Sequence, residues 1–230
     1  MTLRKLGWMA LVGGLAIAPV TAAIAAKVVV VRSVGPSAKA YPPGTAMLDS
    51  SSIKLGNGDA VTLLGPNASR TLRGPGTFTA STVDRSSLAM AAGRRSRFGA
   101  MRSGDIAINP SLWNVDVTQS GKMCVAEPTK LKLWRPDSEN AAKLNIRGGA
   151  KQQALEFAAG QASVPWPAGL PVANGGEYQL EWADGGGRNT LSFVMVNAPP
   201  SDQVAAAQLL IDKGCQNQLD LLVETAGTAE

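Results

Sequence analysis

Cys124 and Cys215 are the chain's two cysteines and its strongest chemical feature. Cys124 falls in a strand-like stretch, Met123 to Ala126, and Cys215 on the apolar stripe of a helical pattern. Neither has the C-x-x-C spacing, or the cation at a helix N-terminus, that would hold a thiol as a reactive thiolate. Two cysteines also fall short of a zinc knuckle or an iron–sulfur cluster. The pair therefore reads as one structural disulfide in a chain bound for an oxidising compartment.

Other strings have the residue types for catalysis but the wrong spacing or partners. Ser51-Ser52-Ile53-Lys54 matches S-x-x-K, yet it leads into a strand, where residues three apart face opposite sides, and no S-D-N or K-T-G follows. Glu177 and Glu181 share one strand face at about 13 Å, too far apart for either glycosidase geometry. They belong to a solvated face opposite Tyr178, Leu180 and Trp182. Asp137-Ser138-Glu139-Asn140 lacks the glycine and spacing of a calcium loop and reads as a polar turn. The 230 residues include no histidine, which removes Ser-His-Asp and Cys-His nucleophiles, histidine metal sites and the usual side-chain pH switch together. Without G-x-S-x-G, Walker A or G-x-G-x-x-G, esterase and nucleotide chemistry lose their markers. The expectation is a noncatalytic protein with no cofactor and no metal.

Two features suit binding. Arg85, Arg94, Arg95, Arg97 and Arg102 lie between Asp84 and Asp105 with no acid among them. They are candidate contacts for an anionic partner such as an acidic protein or lipid phosphates, or else a solvated connector. Trp113, Trp134, Trp166 and Trp182 would stack on sugars if exposed, but suit a sandwich core better.

The elements that would hold these residues follow from pattern. Arg4 and Lys5 precede an apolar run from Leu6 to about Val20, and Ala23 and Ala25 form an A-x-A site, the layout of a cleaved signal peptide over residues 1–25. The mature chain would then be periplasmic, with no later membrane span. The alternative is an uncleaved segment anchoring the chain in the inner membrane, although Gly13, Gly14 and Pro19 weaken such a helix. Nucleic acid is not an expected partner in that compartment. With 45% hydrophobic residues, 25 Gly and 14 Pro, the remainder suits a core built of short strands and turns. From Ala26 to Leu112 there are eleven basic and four acidic residues, and from Trp113 to Glu230 nine basic and thirteen acidic. This asymmetry places a boundary near residues 81–110 and favours contact between the two halves.

In the first half, Lys27 to Arg32 is a β-branched run. The strands SIKL and AVTLL, at 52–55 and 60–64, are expected to form a hairpin about Gly56-Asn57-Gly58-Asp59, with further strands at 70–73 and 77–79. The Val-rich strand, the YPPG turn, IKLGNGDAVTLL and RTLRGPGTF together resemble the FecR-type envelope domain over about residues 27–80. That resemblance implies a small β domain and carries over no functional residue. In the second half, period-two patterns recur at 113–117, 130–134, 144–146, 154–157, 177–182 and 189–196. KLKLWRP and VPWPAGLPVANGGEYQLEW are similar to Ig-like or fibronectin-like accessory domains of exported bacterial proteins, over roughly 111–197. As a whole the chain resembles small exported alphaproteobacterial proteins. After Pro199 and Pro200 the period changes. Ser201 is the expected N-cap, and Val204, Ala207, Ile211, Cys215, Leu219 and Leu222 form an apolar stripe, either split at Gly214 or continuous through it.

The expected architecture is mostly β: a FecR-like domain at 26–80, an Arg-rich linker or long loop at 81–110, an Ig-like sandwich at 111–197 and a helical segment at 198–230 packed on the sandwich. The expected function is a noncatalytic exported binding or accessory module recognising an envelope protein or signalling partner. A carbohydrate or cell-wall binder is the alternative, and an acid/base glycan hydrolase the third reading.

Overall fold

A computed structural model describes residues 27–82 and 107–227. The expected signal peptide and the five arginines at 85, 94, 95, 97 and 102 lie outside the described residues. What is described is mostly β, with two helices near the C-terminal end.

The first unit contains β1 (Lys27–Val34), β2 (Ala46–Leu48), β3 (Ser52–Leu55), β4 (Ala60–Leu64), β5 (Ser69–Arg73) and β6 (Gly76–Thr79). Four of them form an antiparallel sheet in the order β2-β1-β4-β5, while β3 and β6 pair separately. Val28, Val29, Val30 and Val31 of β1 are all buried because both faces of the strand are covered there, whereas Val34 at its end is exposed. Val28 and Val30 meet Ile53, Val61, Leu63 and Leu72, whereas Val29 and Val31 join Leu64 and the C-terminal helices. A strand covered on both sides reads as a continuous apolar run, not an alternating one. The register slips between Val30 and Arg32. This irregularity sets Arg32 opposite Thr62, on the Leu64 side of the sheet, where its guanidinium donates to Asp220 at 2.7 Å.

The expected hairpin does not form: β3 pairs with β6, and β4 with β1 and β5. The 56–59 turn instead carries the chain from one sheet to the other. A long-range contact holds the turn in this position. The buried Asp59 carboxylate accepts from the Ser37 N–H at 2.9 Å, from the Ser37 hydroxyl, and from the Gly56 N–H at 2.5 Å. Gly35, at φ 97, passes so close that an added Cβ would meet the carboxylate. The Ser37 donors, followed by Gly56, hold the Asp59 carboxyl below its ordinary pKa. A depressed folded value contributes stability above the unfolded value, about 3.9, and loses it as pH falls through the folded value. Acid titration of the urea midpoint should therefore fall more steeply below about pH 4 for the parent than for Asp59→Asn. Parallel profiles would remove this role.

The second unit contains β7 (Val115–Asp116), β8 (Gly121–Val125), β9 (Lys132–Trp134), β10 (Ala142–Gly148), β11 (Lys151–Phe157), β12 (Ser163–Pro165), β13 (Glu177–Trp182) and β14 (Arg188–Met195). They form a five-stranded sheet, β11-β10-β13-β14-β8, and a three-stranded one, β12-β9-β7. Leu144, Ile146, Tyr178, Leu180, Leu191 and Phe193 from the larger sheet share one core with Val115, Leu133 and Val164 from the smaller. Trp166 stands edge-on to Tyr178 and Phe193, its centroid 5.0 Å from each, and its indole N–H donates to the Leu170 carbonyl at 2.9 Å. Arg135 is buried with no carboxylate beside it among the described residues. It is satisfied by the carbonyls of Gln161, Asn140 and Ala158 and by the Phe157 ring. β8 runs parallel to β14 at the edge of the larger sheet.

The helices are α1 (Gln203–Lys213) and α2 (Gln216–Gly227). Asp202, not Ser201, is the N-cap, because its carboxylate accepts from the Ala205 N–H at 2.8 Å. Gly214 divides the stripe at φ 72, the left-handed conformation that ends a helix with least strain in glycine. Val204, Ala207, Leu210, Cys215, Leu219, Leu222 and Ala226 are buried, together with Val29, Val31 and Leu64 from the first unit and Cys124 and Val196 from the second. The helices thus cover the first sheet as well as the sandwich edge, and the Ser69 hydroxyl donates to the Val223 carbonyl at 3.3 Å. Among the described residues no helix is long and apolar enough to cross a membrane.

Candidate functional site

Cys124 on β8 and Cys215, just before α2, form a buried pair at disulfide distance, their Cα atoms 5.8 Å apart. Gln218, one turn into α2, adds a second attachment. Its side-chain oxygen accepts from the Cys124 N–H at 2.7 Å, and its amide donates to the Cys124 carbonyl at 3.0 Å and to the Leu112 carbonyl at 2.9 Å. At the edge of β8 a glutamine side chain thus stands where a neighbouring strand would bond. Asn217 donates to the Ser120 carbonyl at 2.9 Å.

This attachment fixes which face of α2 remains open. Cys215, Leu219, Leu222 and Ala226 turn into the core, whereas Asn217, Asp220, Leu221 and Glu224 line a cleft. Their spacing of i, i+3, i+4 and i+7 places them in one stripe. The opposite wall is the segment 107–119. Asn109 accepts from the Ser111 N–H and the Asn114 amide, both at 3.2 Å. Asp116 accepts from the Thr118 N–H at 2.9 Å, the Thr118 hydroxyl at 2.6 Å and the Gln119 amide at 3.0 Å. Ile108, Leu112 and Leu221 supply the accessible apolar lining, above the buried Val115, Met123, Trp134 and Leu191. The volume is about 440 Å³, in the usual range for ligand clefts.

Among the described residues the charged lining comprises Asp116, Asp220 and Glu224 against Lys122. One Asp220 oxygen accepts from Arg32 at 2.7 Å and from Gln216 at 3.0 Å, while Glu224 is exposed. Among the described residues no group of three or more His, Cys, Asp or Glu is placed to hold a metal ion. The cleft can accept an apolar group on its floor and hydrogen-bond or pair with polar groups at its rim.

The other residues whose types suggested chemistry fall elsewhere. Glu177 and Glu181 are exposed on β13, and both Glu181 oxygens lie 3.0 Å from an Arg188 nitrogen. Asp137 caps its own turn through the Glu139 N–H at 3.0 Å. Lys54 is exposed, and its backbone N–H donates to the Tyr41 hydroxyl at 3.0 Å. Trp134 and Trp166 are buried; Trp113 and Trp182 are half-buried and packed against cores. Sequence pattern misses the cleft because its walls lie about a hundred residues apart along the chain. The polar stripe beside Cys215 is its one local trace.

These features define a mostly β protein whose two units are joined by a helical pair, with an open cleft where helix and sandwich meet. No protein-family model, curated protein or solved structure matches the chain.

Proposed function

We propose that this protein is a noncatalytic exported binding or accessory module that recognises an envelope protein, with the cleft between α2 and residues 107–119 as its contact. The observation that carries this reading is the cleft itself: an apolar floor and a hydrogen-bonding rim, held in place by the Cys124–Cys215 pair and Gln218. A disulfide suits an oxidising compartment, which supports periplasmic localisation after signal cleavage. The two-sheet unit is consistent with an Ig-like accessory domain and the small sheets before it with a FecR-like one. Fold alone does not assign the partner.

A photoreactive residue in place of Gln119, at the rim, tests the contact in cells. A discrete crosslinked envelope protein is expected there and not from the same residue at exposed Lys151. Identical products from both positions, or none from 119, would remove the reading.

A further inference from the structure

We infer that the cleft takes an extended basic peptide segment of the partner, with an apolar side chain on the floor and cationic side chains along the α2 rim. This rests on the reading of the cleft as a partner contact and names the chemistry that enters it. Among the described residues three carboxylates line the cleft against one ammonium, and with Arg32 on Asp220 they leave a small acidic excess, although the chain as a whole carries +5. The cleft therefore opposes the protein's overall charge, and a basic segment gains from it locally.

The distribution of the acids selects the form of the ligand. They do not converge on a metal ion. Asp220 and Glu224 are one turn apart on the same helix, and Asp116 lies on the opposite wall. Carboxylates spread over both walls suit several cations spaced along a chain better than one compact charge. Between them, exposed Ile108 and half-buried Leu112 and Leu221 provide apolar contact that a polyamine or a bare cation would leave unused. Asn114, Gln119 and Asn217 also line the walls and can bond to peptide groups. Among the carboxylates, Arg32 already engages Asp220, so Glu224 is the rim acid that most directly awaits a cation.

The probe is a fluorescein-labelled peptide of sequence Gly-Arg-Leu-Arg-Leu-Gly, compared with versions carrying Glu or Gln in place of Arg. The full chain should bind the Arg peptide saturably and at least about tenfold more tightly than the Glu peptide, with the preference shrinking as salt shortens the screening length. Glu224→Lys should weaken Arg-peptide binding about tenfold and narrow its margin over the Glu peptide. Leu221→Trp, which fills the cleft, should abolish binding of all three peptides. Each variant's thermal midpoint is compared with the parent's, so that loss of fold is not read as loss of binding. Equal affinity for the Arg and Glu peptides, or binding that survives Leu221→Trp, would overturn the inference. Capture of a partner from position 119 alongside either result would retain the contact and discard its basic chemistry. Selective Arg-peptide binding without capture would do the reverse.

Discussion

Breaking the Cys124–Cys215 bond is expected to lower stability by about 4 to 5 kcal/mol, the chain-entropy value for a closed loop of this size. The two residues are 91 positions apart, so the unfolded chain regains much freedom when the link is lost. Any strain in the native bond would reduce the effect. Urea midpoints measured with and without reductant, and for the Cys124→Ala/Cys215→Ala double variant, check the expectation. Hydrogen exchange should show where it acts: amides of α2 and the edge of β8 should lose protection before those of β10 and β13. A shift below about 1 kcal/mol would mean that Gln218 and the apolar stripe hold the helix without help.

The second large effect concerns Leu210. It is fully buried on α1 in the cluster that also contains Val29 and Leu64 of the first unit and Cys124 and Val196 of the second. Leu210→Ala should cost about 2 to 5 kcal/mol, combining lost transfer energy with the cavity left behind. Because the helices bridge both units, probes in each should report the same shifted transition. Aromatic signals from the Trp166, Tyr178 and Phe193 cluster would follow the second unit. If those signals keep the parent midpoint while the rest of the chain unfolds early, the units are energetically separate and the bridge is only a contact.

Local pattern made much of this architecture legible. Alternation along 144–146, 177–182 and 189–196 predicts strands that the sandwich contains, and the 3.6-residue stripe after Pro200 predicts the helices. The misses share a cause. The 56–59 turn has hairpin chemistry, but in the fold it passes between sheets and Asp59 is held by Ser37, 22 positions earlier. The valine run of β1 is readable as a strand, yet its second cover comes from helices more than 170 positions later. Gln218 reads as an ordinary polar helix residue until β8 lies beside it. The cleft is illegible for the same reason, since neither wall makes a concave surface alone.

The glutamine that takes the place of a strand beside β8 also bears on the order in which the chain is made. Synthesis releases β8 about a hundred residues before Gln218, so this edge has its backbone groups uncovered during elongation. The helix-facing side of β1 and β4 waits even longer for its cover. Assembly must therefore finish from the C-terminal end, and a nascent chain stalled before Gln216 would present both an open strand edge and a bare apolar sheet face to its neighbours. Exported chains truncated before Gln216 should be the ones that chaperones hold most strongly.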